Sequence, residues 1–434
     1  MVESTIRKFE LRASFGCVET QLGLLQSWGN ESDVTALSLN LLAGESDRIS
    51  GPELLRLISD DFPASLVPPK GRLKQLIGQA TEWQNSRCLF HSSDQSSSLF
   101  VDHCCERASL PMAEKARLDG HRDEVWFLSV SSCGKFLASA SKDKSVCIWR
   151  LEGLSPIAVL VGHSEACSYL AWSPDDGHLV SASNDKTALL WRPLTCGDAC
   201  VGRFARHAES VSAVAWMDTR RFLTGSCDKS VILWSVDGSQ LACWKFQGRV
   251  QDIALNGSRL LVASSERHVQ LIELGEESAW MDEPEMLPER FPVTSITSAR
   301  RSGHLLVNVS RVPPAVHLWN LDSRRMEQKY VGHAQGRFIV RSCFGGKEEQ
   351  FVVCGSEDGK IFVWNKIYGA LLASFAAHSS VVNTVVWSPN SSPDMLMSCG
   401  DDRTVRVWGK LGRTRISSTM NFPTPTEISS PHNT

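Results

Sequence analysis

The sequence lacks the features that would place a protein in a membrane, in the secretory route or around a metal. No run of about 18 apolar residues is present, so we predict no membrane insertion. The amino terminus, MVESTIRKFELRASFG, has no apolar signal core, and Glu3 and Glu10 argue against a mitochondrial transit peptide. None of the 14 cysteines forms a C-x-x-C pair, which argues against a zinc site and a dense disulfide scaffold. We therefore expect a protein of the cytoplasm, the nucleus or both, without metal or cofactor.

The chain also lacks an excess of positive charge. Its 45 Lys and Arg residues and 48 Asp and Glu residues give a formal net charge of −3, and the basic residues form no block. Nucleic-acid binding requires a basic patch, so we predict no nucleic-acid partner. With 434 residues, 42% of them apolar, the chain is long enough for one large domain and a small one.

A period of 42 to 45 residues runs through most of the chain. Tryptophans end short β-like runs at Trp149, Trp191, Trp234, Trp319, Trp364 and Trp408. The gap of 85 residues between Trp234 and Trp319 equals two periods, so the missing tryptophan position lies near Ile272, in ERHVQLIEL. The period therefore predicts seven units rather than six.

Two further residue types recur with this period. An aspartate stands six residues before the tryptophan in five units, at Asp143, Asp185, Asp228, Asp358 and Asp402. A histidine lies 21 to 25 residues before each aspartate, at His121, His163, His207, His333 and His378. An aspartate in a tight turn can accept hydrogen bonds from turn amides and from a histidine of the preceding loop.

This pattern resembles the WD-repeat family, in which each repeat forms one four-stranded blade of a β-propeller. The resemblance implies a mainly β fold, with a seven-bladed propeller over residues 112–410 behind a small α-helical region. It also implies a serine or threonine four residues before the aspartate, which links the histidine to the indole of the tryptophan. These positions are Ser139, Ser181, Thr224 and Ser398, with Cys354 in the sixth unit, where a thiol predicts a weaker tetrad. A catalytic triad would occur once, so we interpret the repeated tetrads as structural and predict no enzyme.

The order of elements also predicts how the ring closes. A run like the outer strand of each unit, MAEKARLDGH, precedes the first unit, and nothing comparable clearly follows Trp408. Residues 113–118 are therefore predicted to complete the last blade and remove an open sheet edge. Units four and five lack the histidine and aspartate. The six acidic residues between them, from Glu276 to Glu289, predict a solvated loop or a docking loop for a basic partner.

Residues 68–91, PPKGRLKQLIGQATEWQNSRCLFH, predict an amphipathic helix. Its apolar stripe, about 120° wide, consists of Leu73, Leu76, Ile77, Ala80 and Trp83. Arg87 falls in the same arc and must extend to solvent or find a polar partner. With candidate helices at 52–62 and 96–107, this segment predicts a helical region over residues 35–111. It forms a small domain or a dock for another chain, and the stripe with Arg87 is a predicted partner-binding surface.

A closer resemblance rests on LKQLIGQATEWQNSRCLFH, LFVDHCCER and RSCFGGKEEQFVVCGSEDGKIFVW. These stretches resemble the WD-repeat subunit of the GID/CTLH ubiquitin ligase, over about residues 35–410. The resemblance implies a CTLH/CRA-like helical remnant and a non-catalytic scaffold that binds CTLH and RING-type ligase subunits and recruits substrate proteins for proteasomal degradation. We find no LisH motif, so the oligomeric state stays open. The alternatives are a cullin-ligase substrate adaptor, although its W-D-x-R motif is missing, and a propeller-only interaction scaffold in signalling.

In this family, partners contact the propeller face formed by the residue before the turn aspartate and the residue five beyond the histidine. The resemblance therefore implies a partner-binding face of Trp126, Lys142, Ser168, Asn184, Cys227, Phe338, Glu357, Asn383 and Asp401. Trp126 and Phe338 are the predicted anchors, because aromatic side chains dominate interface energetics. Residues 1–34 stay undefined. Residues 411–434 predict a disordered tail rich in Ser, Thr and Pro, in which Thr424 and Ser430 precede proline and are candidate phosphorylation sites.

Overall fold

The computed structural model describes residues 72–90, 110–194, 199–275, 284–388 and 395–410. Within these ranges it contains one helix, α1 (Arg72–Arg87), and seven four-stranded antiparallel sheets. The chain divides into two compact units, Met1–Glu82 and Trp83–Thr434. A search of the described helix found no segment long and apolar enough to cross a membrane. The candidate helices at 52–62 and 96–107, residues 1–34 and the predicted tail with Thr424 and Ser430 lie outside the described residues.

Each sheet is one blade; six blades have their strands in chain order, and the seventh takes β1 as its outer strand. Blade 1 contains β2 (Val125–Val130), β3 (Phe136–Ser141), β4 (Ser145–Arg150) and β5 (Ser155–Val161). Blade 2 contains β6 (Cys167–Trp172), β7 (Leu179–Ser183), β8 (Ala188–Trp191) and β9 (Cys200–Phe204). Blade 3 contains β10 (Val211–Trp216), β11 (Arg221–Ser226), β12 (Ser230–Ser235) and β13 (Gln240–Lys245). Blade 4 contains β14 (Val250–Asn256), β15 (Arg259–Ser264), β16 (His268–Glu273) and β17 (Glu285–Pro288). Blade 5 contains β18 (Val293–Ser298), β19 (His304–Val309), β20 (Ala315–Asn320) and β21 (Arg325–Val331). Blade 6 contains β22 (Ser342–Gly345), β23 (Phe351–Cys354), β24 (Lys360–Asn365) and β25 (Leu371–Ala376). Blade 7 contains β26 (Val382–Trp387), β27 (Leu396–Gly400), β28 (Thr404–Gly409) and β1 (Ala113–Asp119).

The hydrophobic core lies between neighbouring blades rather than in a single centre. Every residue of β7 and β8 is buried, because the adjacent blades cover both faces of this sheet. One core cluster joins Ile148 of blade 1 to Leu170 and Trp191 of blade 2. The outer strand β13, in contrast, has no fully buried residue. Each blade is therefore stabilised mainly by the blades on either side of it.

The ring closes through the two ends of the propeller sequence. Strand β1 pairs antiparallel with β28, with Leu118 opposite Val405, which confirms the predicted closure. Ile272 lies opposite Leu260 in blade 4, in the third-strand position that Trp234 occupies in blade 3. The prediction of a seventh unit around Ile272 is thus confirmed.

A tight turn between the second and third strands gives each aspartate a fixed position. The residue after the aspartate has a positive φ at Lys144, Lys186, Lys229 and Arg403, between 67° and 72°. Gly359 takes the same place in blade 6 with φ 77°, and a Cβ there would meet the carbonyl oxygen of His378 at 2.4 Å. Since only glycine lacks a Cβ, this position of blade 6 requires it.

Candidate functional site

Blade 2 shows the complete tetrad. His163 Nδ1 lies 2.9 Å from the Asp185 carboxylate, and His163 Nε2 lies 2.7 Å from the Ser181 hydroxyl. The same hydroxyl accepts a 2.7 Å hydrogen bond from the indole of Trp191. Matching bonds of 2.7 to 3.0 Å join His121, Ser139, Asp143 and Trp149 in blade 1, His207, Thr224, Asp228 and Trp234 in blade 3, and His378, Ser398, Asp402 and Trp408 in blade 7. Each network ties a loop, a turn and two strands of one blade together.

The electrostatics of the tetrads favour a structural role. Burial alone would raise the pKa of Asp185, but hydrogen bonds from His163 and Thr187 and from the Ser164 amide hold this pKa well below its usual range. A general base needs a pKa near the working pH. The Asp185 carboxylate is therefore a fixed hydrogen-bond acceptor and is poorly suited to proton transfer.

The predicted tetrad of blade 6 is not formed. Trp364 donates its indole N–H to the carbonyl of Val331 at 3.2 Å instead of to Cys354. Neither ring nitrogen of His333 has a hydrogen-bonding partner among the described residues, although the ring is buried. Asp358 pairs with Lys360 in its own turn. The prediction of a weakened but connected tetrad was wrong.

The cause lies in the chemistry of the side chain at the linking position. A thiol is a weak hydrogen-bond donor and acceptor, and among the described residues Cys354 Sγ has one side-chain hydrogen-bonding contact, from Asn308 Nδ2 at 3.7 Å. Without a hydroxyl at this position, His333 has no bridge to Trp364. Burial then lowers the pKa of His333 to about 4, so the ring is neutral at physiological pH.

Blade 5 contains a substitute network that sequence reasoning missed. Glu289, predicted to lie in a solvated or docking loop, is only 8% exposed. It accepts a 2.6 Å hydrogen bond from the indole of Trp319 and lies 3.0 Å from His317 Nδ1. A signal was present: Glu289 precedes Trp319 by 30 residues, the spacing that separates His378 from Trp408. The rest of the acidic stretch divides between β17 and residues 276–283, which lie outside the described residues.

Part of the predicted partner-binding face forms one connected group between blades 1 and 7. Glu124 accepts hydrogen bonds of 3.0 Å from both Trp126 and Lys142. Asn383 donates to Asp401 at 2.7 Å. Burial, together with the nearby Glu124 carboxylate, raises the pKa of Asp401. Glu124 is thus a member of this face that the sequence positions did not predict.

A second part of the face lies at blade 6. Phe338 is 50% exposed, and its neighbour Ile339 is 44% exposed. The Glu357 carboxylate accepts hydrogen bonds from the backbone amides of Gly336 and Phe338 at 2.7 and 2.8 Å. Glu357 therefore fixes the loop that presents two apolar side chains to solvent.

Other predicted face residues have different surroundings. Ser168 is half-buried and donates its hydroxyl hydrogen bond to the carbonyl of Val211 at 2.7 Å, so it joins blade 2 to blade 3. Asn383 also donates to the carbonyl of Val125 at 2.9 Å and joins blade 7 to blade 1 in the same way. Asn184 is exposed and Cys227 is half-buried. Ser168 therefore contributes to blade packing, and Phe338 is the more exposed of the two predicted anchors.

Helix α1 leaves most of its described apolar stripe in contact with solvent. Leu76 is 45% exposed and Trp83 is 58% exposed, Ala80 is exposed, and Ile77 is half-buried. Leu73 and Arg87 belong to α1, but their side chains are not among those that the structure describes. That this stripe binds a partner therefore stays a prediction.

Seven four-stranded sheets, a ring closed by β1 and β28, and four complete tetrads define a WD-repeat β-propeller, a class of fold typical of protein-interaction scaffolds. The family model "WD domain, G-beta repeat" matches residues 113–150, 154–192, 198–235, 325–365 and 369–409. Each match begins at the outer strand of the preceding blade or within two residues before it, so the sequence repeat and the blade are offset by one strand.

The relatives define the family more narrowly. The chain is 38% identical over 366 residues to GID complex subunit 7 of Schizosaccharomyces pombe, covering 82% of this chain and 70% of that protein. It is 33% identical over 374 residues to a WD repeat-containing protein 26 homolog of Arabidopsis thaliana, covering 84% of this chain and 62% of that protein. The chain belongs to this family of WD-repeat proteins. It spans about two thirds of the length of the relatives it matches.

Proposed function

We propose that this chain is a non-catalytic subunit of a GID/CTLH-type ubiquitin ligase. In this role it binds sister subunits and recruits substrate proteins for proteasomal degradation, in the cytoplasm, the nucleus or both. The observation that carries the proposal is the 38% identity to GID complex subunit 7 over 82% of this chain. That share, about 356 of 434 residues, exceeds the 297 residues from Ala113 to Gly409, so the similarity extends beyond the propeller.

The propeller surface supports a binding role. Phe338 and Ile339 are apolar, half-exposed and held on a loop that Glu357 fixes. Rigid, exposed aromatic side chains are typical anchors of protein interfaces, because they bury a large area at a small cost in conformational entropy. The tetrad carboxylates, in contrast, are occupied by structural hydrogen bonds, which supports a non-catalytic role.

Helix α1 supports a second binding surface. Leu76 and Trp83 lie on one face of the helix and expose 45% and 58% of their surface. An amphipathic helix is stabilised in water mainly when its apolar face is buried. A helical sister subunit would supply that burial, as in other helix-in-groove interactions.

Affinity purification of the tagged full-length chain from its source cells, followed by mass spectrometry, tests the proposal. Co-purification of a RING-bearing subunit together with CTLH-containing proteins would support it. Recovery of a cullin and its adaptor would support the cullin-ligase alternative instead. Recovery of neither group, from a preparation in which the chain is folded, would contradict assembly into a ligase of either kind.

A further inference from the structure

A cavity of about 500 Å³ lies at the centre of the ring, lined by the first strands of all seven blades. Its volume falls within the range of small-ligand sites. Near one part of the cavity, Arg341 forms an ion pair with the fully buried Asp252 and lies 4.8 Å from the ring centroid of Tyr169. The charge of Arg341 is therefore neutralised within the fold.

The turns that follow the first strands of blades 5 and 6 give the cavity a basic mouth. The cations that line the cavity are Arg300, Arg301, Arg341 and Lys347, and Glu349 is the one carboxylate among the described lining residues. This local excess of positive charge contrasts with a net charge of −3 for the whole chain. A recess lined by charges of one sign concentrates counter-ions, because its low-dielectric walls focus the field.

The carboxylate of Glu349 is occupied by the backbone. It accepts hydrogen bonds from the amides of Arg300 and Arg301 at 2.6 and 3.3 Å and from the Ser302 hydroxyl at 3.3 Å. A similar clamp recurs between blades 1 and 2, where Asp176 accepts hydrogen bonds from the amides of Ser132 and Cys133 at 2.6 and 2.8 Å. Glu349 thus serves primarily as a clamp that fixes the turn of the two arginines.

The arginine side chains themselves have no ion pair within the described ranges. Both are exposed to the solvent of the cavity. Desolvation by the surrounding protein lowers the pKa of Arg300 below its ordinary value, although Glu349 and Asp176 act in the opposite direction. A guanidinium group that is partly desolvated and unpaired gains more from an anionic ligand than one in open water does. The two arginines also line a neighbouring polar cavity of about 460 Å³, so a ligand can reach them from two sides.

We propose that this basic mouth is a binding site for a phosphate group, presented by a phosphorylated protein segment or by a soluble inositol phosphate. Phosphate carries close to two negative charges near neutral pH and three terminal oxygens, which suit the planar donor forks of two adjacent arginines. Strands β18 and β22 are the equivalent first strands of blades 5 and 6. Arg300 follows the end of β18, whereas Phe338 precedes the start of β22. The phosphate site therefore lies at the opposite edge of the propeller from the partner-binding face, and it is independent of the proposed ligase function.

Calorimetric titration of the full-length chain tests the site with two probes. The first probe is inositol hexakisphosphate, and the second is a pool of phosphoserine peptides compared with the same pool after phosphatase treatment. The Arg300→Ala/Arg301→Ala variant should bind at least one probe about tenfold more weakly or worse, because two charge-assisted contacts are lost. Arg249→Ala/Arg267→Ala is the matched control, since it removes two exposed arginines at the opposite edge. The control should retain the wild-type affinity.

A further variant separates specific recognition from charge. Arg300→Lys/Arg301→Lys preserves the charge but not the planar forks, and it should bind more weakly than the wild type. Binding of the inositol phosphate alone identifies a soluble ligand, and binding of the phosphopeptides alone identifies a protein segment. Failure of the folded wild type to bind either probe, or an equal loss in the matched control, would overturn the proposal.

Discussion

The indole N–H of Trp319 donates a 2.6 Å hydrogen bond to the carboxylate of Glu289, and both side chains are buried. This contact replaces the bond between tryptophan and serine or threonine found in the complete tetrads. In blades 1, 2, 3 and 7 a histidine paired with an aspartate completes the network instead. Blade 5 therefore keeps an anchor for its third strand without either of those residues.

Glu289→Ala should lower the free energy of unfolding by about 2 to 3 kcal/mol, because it leaves buried polar groups of Trp319 and His317 without an acceptor. Urea unfolding monitored by tryptophan fluorescence measures this loss. Glu273→Ala is the control: it removes an exposed carboxylate of blade 4 paired with Arg259, and it should change stability by less than about 1 kcal/mol. Equal losses in the two variants would contradict a structural role for Glu289.

The turn aspartates of blades 2 and 6 should differ in their contribution to stability. Asp185 accepts hydrogen bonds from His163, the Ser164 amide and Thr187, so Asp185→Ala should cost about 1 to 3 kcal/mol. Asp358 pairs with Lys360 in its own turn and, among the described residues, makes no hydrogen bond to His333, so Asp358→Ala should cost clearly less. Thermal melts of both variants provide the comparison, and matching losses would argue against the tetrad geometry.

Acidification should weaken the fold through His333 between about pH 6.5 and pH 4. The folded-state pKa of His333 is about 4, below the ordinary histidine pKa of 6.5, so in this window the unfolded chain binds a proton that the folded chain does not. Stability from this group is therefore complete above pH 6.5 and falls as the pH falls, by about 3 kcal/mol at pH 4.

His333→Leu provides the test, because it removes the titrating ring and keeps an apolar side chain against Trp364. Urea unfolding of both proteins at several pH values gives the difference in stability as a function of pH. The variant should lose less stability than the wild type over this window, whereas other titrating groups affect both proteins alike. Parallel pH profiles would show that His333 is not buried in its neutral form.

Trp83→Ala should weaken assembly without unfolding the propeller, since all four complete tetrads and the β1–β28 closure lie elsewhere in the chain. An aromatic anchor of an interface contributes ~2 to 4 kcal/mol, which corresponds to a loss of roughly 30- to 900-fold in affinity. Pull-down of ligase subunits and size-exclusion chromatography measure the effect. Leu241→Ala, at a 49% exposed position on β13, is the control. A monomeric, folded Trp83→Ala protein that still retrieves every subunit would exclude docking through α1.

Replacing Trp126 and Phe338 together by alanine should reduce recovery of at least one protein partner. Phe338 is 50% exposed, so its loss should affect binding more than stability. Trp126 is held by Glu124, so Trp126→Ala should also lower the melting temperature slightly. Quantitative mass spectrometry of the two single variants and the double variant separates these contributions. Unchanged recovery with the double variant would exclude these rings as anchors.

The blades were predictable from the sequence because their determinants are local and repeated. The spacing of Ser181, Asp185 and Trp191 recurs in blades 1, 3 and 7 with a histidine 17 to 20 residues before the serine or threonine, and each set forms the same hydrogen bonds as blade 2. Even Ile272, which lacks the indole, could be placed from the period alone, because an apolar third-strand residue packs in the same core position. Ring closure could be predicted because a run like an outer strand precedes the first unit and nothing comparable clearly follows Trp408.

The remaining features depend on contacts that the repeat pattern does not encode. Glu289 reaches His317 and Trp319 across about 30 residues, and it stood in an acidic stretch whose composition predicts a solvated loop. The tetrad of blade 6 does not form because Cys354 replaces the serine or threonine. The side chains are similar in size, but a thiol is a much weaker hydrogen-bonding group than a hydroxyl. The basic mouth of the cavity depends on Glu349 binding the turn of Arg300 from the next blade, a relation visible only in three dimensions.

The pairing of β1 with β28 has a consequence for the synthesis of the protein. Strand β1 leaves the ribosome before any blade is complete, whereas its partner is translated about 285 residues later, from Asp119 to Thr404. At ~5 to 20 residues per second, the nascent chain holds an unpaired strand for roughly 15 to 60 s. An unpaired strand edge is a template for pairing with other chains. Newly made molecules are therefore most vulnerable to aggregation, and most dependent on chaperones, until the last blade has been translated.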